Sequence, residues 1–457
     1  MILGEVFARF EKEGPIPVMT KAALGAALTP DRLDQIFADH AVSQRVSELS
    51  FSVLVNLMGM VVAKTRKSTN AAYQACKQDI SVSVNSVYDK LNGVEPLVSA
   101  ALVRETATLF RELIEPMNSA RPSLLPGYRV RILDGNHPGA TQHRIQELRT
   151  IAAGPLPGVV LAVLDPQLGL IDDVELAEDG HAQERSLLIE LINRLVPGEV
   201  WVADRNFCTS VFLQEIALNE AFFVIRQHAA NVRWKPTGDR VLRGESETGQ
   251  VFEQSILITD DFGAKLPARR ISVELFQSGR GGEQEIHILS NLPADVDAVT
   301  ISDTYRTRWS IEAAFNELRL SLNNEINTLG YPPAALFGFS LGLVIFNALA
   351  VVKAALRAAH GVEKIEKNFS FYYMADEMSM VWRGMMIAIP EDEWREALSP
   401  LTLKQLSKML VELAGNVRLS AFQKHKRGPK RPPPKRTKRN DQPHVSTAKI
   451  LAKRKKC

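Results

Sequence analysis

The stretch YRTRWSIEAAFNELR, Tyr305 to Arg319, decides how the chain is read. Its spacing predicts one amphipathic helix. Tyr305, Arg308, Glu312 and Arg319 follow one another at intervals of 3, 4 and 7 residues, so a phenol, a carboxylate and two guanidinium groups share one face. Ile311, Phe315 and Leu318 form an apolar stripe for packing. A carboxylate flanked by guanidiniums suits chemistry on phosphates: the anion holds a metal cation while the guanidiniums grip phosphate oxygens. An ordinary surface helix with Arg–Glu pairs has the same residues, so the rest of the chain must decide.

Upstream, YRVRILDG (128–135) alternates and then runs apolar, which predicts a strand ending at Asp134. GVVLAVLD (158–165) and GLIDDVEL (169–176) read as two strands joined by a turn at Pro166-Gln167-Leu168. Residues 181–196 have a helical period and stop at Pro197-Gly198, and EVWVADRNF (199–207) is a buried strand delivering Asp204. A helix (209–219) and the strand AFFVIRQH (221–228) complete the run. Between 231 and 282 the helical period fades into short runs separated by Gly, Asp and Pro, as expected for an antiparallel insert. Asp165, Asp172 and Asp173 on the hairpin read as solvated carboxylates, and His137 as a loop histidine close to Asp134.

Two strands thus carry an aspartate at their ends, Asp134 and Asp204, and a later helix carries Glu312. Alone, Asp134 before Gly135 is a turn residue and Asp204 before Arg205 half of an ion pair. Together, three carboxylates with few other ligands are what two Mg²⁺ ions take, because Mg²⁺ prefers oxygen donors and keeps several waters. Two such ions roughly 3.5–4 Å apart activate an attacking water or 3′-hydroxyl and stabilise the leaving oxygen.

Composition sets the frame. The 457 residues are 45% hydrophobic and 23% charged, as in globular proteins, and long enough for two to four domains. The net charge of +3 hides an asymmetry: residues 424–457 hold 14 Lys or Arg against one acid, Asp441, while the first 423 hold 41 basic and 51 acidic side chains. A mildly acidic body with a basic, Pro-rich tail points to a polyanionic partner for an extended tail. Cys76, Cys208 and Cys457 are too scattered for a disulfide framework or zinc cluster, which fits a reducing compartment. The first turns mix charges into apolar residues, unlike a secretory signal. Residues 335–352 carry no formal charge but include Ser340 and Asn347, which favours a buried core helix over a membrane span. Residues 1–120 read as helical, with Thr29-Pro30 as one start and 43–62 as a second helix; the module serves DNA binding or packing.

LDGN (133–136), ADRNF (203–207) and SNLP followed by YRTRWSIEAAFNELR (290–319) resemble the three motif blocks of DDE transposases from bacterial insertion sequences. The pattern Y-x2-R-x3-E-x6-K/R is similar to the signature of insertion sequence family four. The resemblance covers about residues 125–360. It implies an α/β, RNase H-like catalytic core with a β-rich insertion, flanked by helical regions: helical and DNA-binding over 1–122, core over 123–230 and 284–360, insertion over 231–283, helical again over 361–422, and a disordered basic tail over 423–457. It implies that Asp134, Asp204 and Glu312 ligate two Mg²⁺, with Mn²⁺ as a substitute, and that Tyr305, Arg308 and Arg319 grip DNA phosphates. Arg319 stands where most members have Lys, which is not equivalent in phosphate geometry.

Relatives that excise through a DNA hairpin stack a flipped base on an aromatic side chain, for which Trp234 and Trp309 are candidates. Core packing is the plainer reading of Trp309. Lys430, Arg431, Lys435 and Arg436 in the tail are candidates for backbone phosphate contacts. The implied activity is cut-and-paste DNA transposition by a homodimer on double-stranded transposon ends and target DNA, in the bacterial cytoplasm, with no membrane and no small-molecule cofactor. Competing readings are an RNase H-like nuclease without strand transfer and a catalytically idle DNA-binding protein.

Overall fold

The structure is a computed structural model that describes residues 5–44, 48–139, 141, 145–151, 153–279, 282–425 and 444–454. Among these, α1 (Glu5–Glu13), α2 (Pro15–Ala27), α3 (Pro30–His40), α4 (Phe51–Val62), α5 (Thr69–Ala75), α6 (Val84–Asn92) and α7 (Pro96–Ile114) precede the first strand. Their starts follow local chemistry. Proline opens α2, α3 and α7, where its missing N–H costs nothing. Ser50, Ser68 and Ser83 cap α4, α5 and α6 by accepting from a backbone N–H three residues on. Thr29 holds the cap position of α3 without a side-chain bond, and the helix expected from residue 43 starts only at Phe51.

Next come β1 (Arg129–Asn136), β2 (Pro155–Leu156), β3 (Val159–Asp165), β4 (Leu170–Ala177), α8 (Leu188–Ile192), β5 (Glu199–Ala203), α9 (Ser210–Leu218) and β6 (Phe222–Arg226). The insert follows as β7 (Arg233–Pro236), β8 (Val241–Glu245), β9 (Gly249–Thr259), β10 (Lys265–Leu275) and β11 (Glu285–Ser290). The sheet runs β4-β3-β1-β5-β6-β11-β10-β9-β7, with β8 also on β9. β3 is antiparallel to both β1 and β4, β1, β5 and β6 are mutually parallel, and β11 returns antiparallel to β6. The insert therefore continues the same sheet instead of forming a separate one.

Side chains of alternate residues enter opposite cores, as the pleat requires. Val130, Ile132, Val200 and Val202 join the core shared with the long helices, whereas Leu133, Trp201 and Ala203 join the one under α8 and α9. By the same parity Asp134 and Asp204, each two residues beyond a member of the first set, project toward the long helices.

Those are α10 (Ala298–Arg306), α11 (Trp309–Ser321), α12 (Pro332–His360), α13 (Val362–Asn368), α14 (Phe371–Ala388), α15 (Glu391–Leu398) and α16 (Leu403–Ala414), with β12 (Val445–Ser446) and α17 (Thr447–Arg454) at the end. α12 is long and apolar enough to cross a membrane, but its apolar stretch is wholly buried by the fold. Its Asn347 explains one polar residue there: Nδ2 donates to Ile171 O at 2.7 Å and Oδ1 accepts from Ile171 N at 2.9 Å. β4 is an edge strand with a bulge at this point, so Asn347 satisfies backbone groups that no neighbouring strand reaches.

Three expectations change. The segment 181–196 is a 3-10 turn at Glu184–Leu187 and a five-residue helix, because Pro197 and the short span leave room for little more. Asp165, Asp172 and Asp173 are not solvated. Asp172 accepts from Arg111, Arg129 and Arg131 at 2.7, 2.9 and 2.6 Å, Asp165 from Arg111 at 2.8 Å, and Asp173 from Arg104 and Arg194 at 2.7 and 2.9 Å. Arginines from α7, β1 and the loop before β5 cover the hairpin, and sequence spacing does not reveal such cross-element pairing. At the end of the expected extended tail, β12 pairs parallel with β2, and Lys449 bonds Asp179 at 2.9 Å.

Candidate active site

The parallel register of β1 on β5 sets Leu133 opposite Ala203, so Asp134 and Asp204 come next on adjacent strands, one strand spacing (about 4.8 Å) apart. β1 continues past the expected end, to Asn136. Asp134 Oδ1 accepts from Gly135 N at 2.9 Å within β1, and Asp204 Oδ1 accepts from Asn206 N at 2.6 Å, capping the 3-10 turn Arg205–Phe207.

Glu312 arrives from α11, but the single helix expected over 305–319 is two. α10 ends at Arg306 and α11 begins at Trp309, joined by a tight turn in which Thr307 N and Arg308 N bond the carbonyls three residues back. The turn keeps helical dihedrals at Thr307 and Arg308, so the polar face survives the break. Ile311, Ala314 and Leu318 anchor α11 in the core, while Phe315 is partly buried at its edge.

Arg308 is the hub. It is 7% exposed; its Nη1 lies 3.1 Å from Asp134 Oδ2 and its Nη2 2.8 Å from Glu312 Oε1. Burial opposes the guanidinium charge, but Tyr305, Asp134 and Glu312 together raise its pKa above the ordinary value. Burial, with the negative charges of Asp204 and Glu312, pushes the Asp134 carboxyl up to about 7 against the pull of Arg308. Asp204 and Glu312 therefore both lie close enough to act electrostatically on Asp134. Burial also pushes the Tyr305 phenol up, although Arg308 beside it pulls the other way.

Other candidates lie farther out. Trp309 is 52% exposed, not core, with the Arg308 guanidinium 4.8 Å from its ring centre. Arg319 is exposed two turns along α11 and bonds Asn316 at 3.2 Å. Trp234 sits on β7, six strand positions from β1, half-buried with Arg270 over its ring at 4.8 Å. Lys430, Arg431, Lys435 and Arg436 fall outside the described residues.

Sequence reasoning missed Glu184. Its carboxylate accepts from the Asn206 side chain, lies 4.0 Å from His137 Nδ1, and presses on Gly135. The available signal was Gly135 itself, a glycine inside a strand where another group approaches closely.

The donor set suits a hard divalent cation: three carboxylates, one of them held up in pKa by burial with the charges of the other two adding to it. Among the described residues no group of three is drawn together as ligands; the guanidinium of Arg308 takes the cation's place between Asp134 and Glu312.

Residues 126–323 match the family model described as "Transposase DDE domain", which supports a DDE transposase domain in this chain. The chain is also similar to "Putative transposase InsL for insertion sequence element IS186A" of Escherichia coli strain K12. It is equally similar to "Transposase for insertion sequence element IS421" of Escherichia coli. Each is 27% identical over 194 residues, covering 35% of this chain and 51% of the relative. The chain thus spans about half the length of the curated relatives it matches.

Proposed function

We propose that the protein is a DNA transposase of the family-four type, with an RNase H-like core, that cuts at the terminal inverted repeats of its element and joins the freed 3′-hydroxyl to target DNA. The observation that carries this reading is the buried Arg308, whose fork reaches Asp134 and Glu312, with Asp204 following the strand paired beside Asp134. The strand order β4-β3-β1-β5-β6, with its first three strands antiparallel and its last three parallel, supports the RNase H-like core.

Asp134, Asp204 and Glu312 would hold divalent metal, Mg²⁺ or Mn²⁺. Bound there, the metal supplies activation of the attacking oxygen and charge neutralisation at the leaving one. The chain's own groups do the rest. Arg308 holds the Asp134 and Glu312 carboxylates in place until metal and substrate arrive, then turns its fork to a phosphate. Tyr305 braces Arg308 from below, and Arg319 takes a phosphate farther along the duplex. Trp309, exposed beside Arg308, offers a ring for an unstacked base during hairpin excision. Two protomers synapse two ends, and the basic tail holds DNA non-specifically in the cytoplasm.

The test is incubation of the full chain with Mg²⁺ and DNA carrying the sequence that flanks its gene, with products resolved on a denaturing gel. Hairpins and joined strands are expected. Nicks without joined strands would mark a plain nuclease; binding without cleavage would mark an idle DNA-binding protein.

A further inference from the structure

We propose that Glu184 is a positioning residue for this reaction, the strut that fixes how the strand carrying Asp134 and the turn capped by Asp204 stand relative to each other. The inference rests on the proposed function for its activity readout and on geometry for everything else. From the 3-10 turn between β4 and α8, the Glu184 carboxylate reaches both the end of β1 and the turn after β5. Its Oε2 accepts from Asn206 Nδ2, and Asn206 in turn donates its backbone N–H to Asp204 Oδ1 at 2.6 Å. Its Oε1 lies against Gly135, the residue after Asp134: a Cβ there would stand 1.9 Å from that oxygen. The side chain is only 17% exposed, and Nδ1 of His137 lies 4.0 Å from its Oε1.

Glu184 therefore does not face substrate as a free carboxylate. One end of it fixes the orientation of Asn206, and through Asn206 the carboxylate of Asp204. The other end packs on the backbone next to Asp134, which must be glycine for the contact to exist. Groups one shell behind a ligand orient it, and their loss costs roughly 10–100-fold in metal affinity or activity.

The test uses the full chain as Glu184→Ala, Glu184→Gln, Asn206→Ala and the Glu184→Ala/Asn206→Ala double variant. Two readouts are taken: Mn²⁺ affinity of the DNA-free protein by electron paramagnetic resonance, and single-turnover cleavage with its KM for DNA. Glu184→Ala and Asn206→Ala should each weaken Mn²⁺ binding and slow cleavage roughly 10–100-fold with KM unchanged. The double variant should be no worse than either single change, since both break one linkage. Glu184→Gln should recover most of the loss, because its amide oxygen accepts the same hydrogen bond; if the Glu184→Ala protein does not fold, Asn206→Ala, which breaks the same bond from its other end, carries the test. Wild-type behaviour of either single variant, additive losses in the double, or no Mn²⁺ binding by the wild type would overturn the proposal. Wild-type protein that binds Mn²⁺ but cuts no DNA would defeat the functional reading alone; the Mn²⁺ affinities would still judge Glu184.

Discussion

Nη2 of Arg308 stands 2.8 Å from Oε1 of Glu312, one helical turn further along the chain. The other arm of the same fork reaches Asp134, 174 positions away in sequence, so one planar cation gathers acids from a strand and a helix. Arg308→Ala should slow cleavage about 10²–10³-fold, with DNA affinity changing far less. It should also cost about 3 kcal/mol of stability, chiefly through the buried Asp134 arm, since Glu312 is 41% exposed and its share is screened. Arg308→Lys should regain only part of either, because an ammonium cannot span two carboxylates. Single-turnover rates and thermal melts of the three proteins check this.

Trp309 gives a separable prediction, because half of its surface faces solvent beside the site. Trp309→Ala should leave the melting temperature nearly unchanged while weakening the hold on an unstacked base by about 1–3 kcal/mol. Trp309→Phe should keep most of that hold. A 2-aminopurine base near the cleavage site should lose its fluorescence change in the alanine variant alone.

Much of the site was legible because it is written in local pattern. Apolar runs lead into Asp134 and Asp204, though β1 continues to Asn136 and only β5 stops at its acid, and parallel pairing then needs only the correct strand order. Tyr305, Arg308 and Glu312 share a face by spacing, which tolerates a 3-10 turn in the middle. What spacing could not give were contacts between elements. Asp172 looks like any hairpin aspartate until α7 and β1 bring three arginines to it. Asn347 looks like a blemish in an apolar helix until it meets the bulged edge of β4. Glu184 lies in a turn with no period, and only tertiary packing on Gly135 gives it a place.

Asn347→Leu keeps the branched shape and raises helix propensity but strands the N–H and C=O of Ile171 in the core. The cost should be about 2–4 kcal/mol, read as a lower denaturant midpoint, since each buried group left unpaired costs about 1–3 kcal/mol. The conservative Asn347→Asp keeps the acceptor and loses the donor, and should also be destabilised.

The basic run from Lys426 to Arg439 contains eight Lys or Arg. Replacing all eight with Gln should weaken DNA binding for every sequence alike. The slope of log affinity against log salt should shrink by about 0.9 for each phosphate that the tail no longer neutralises. Sequence preference for the terminal repeat should survive.

One carboxylate among three cations makes the last prediction. Glu366 bonds Lys353 at 2.9 Å, Arg357 at 3.1 Å and Arg121 at 3.0 Å. Burial alone would raise its pKa, but the cations, Lys353 and Arg121 foremost, bring it down to about 2. The cations do not gain equally: burial, with the neighbouring charge of Arg121, lowers Lys353 and brings Arg357 down to about 10, against the pull of Glu366. A depressed carboxylate stabilises the fold above its unfolded value of 4.5, and that contribution is lost as pH falls toward about 2. At about 1.4 kcal/mol per pKa unit, the contribution at neutral pH is about 3 kcal/mol. Glu366→Gln should therefore be less stable than wild type by about that amount at pH 7. Its deficit should stay constant as the pH falls toward the unfolded carboxyl value and shrink steadily below it. Chemical denaturation from pH 7 down to the acid limit of the native state checks the sign: a deficit that grew with acidification would contradict the ion-pair account.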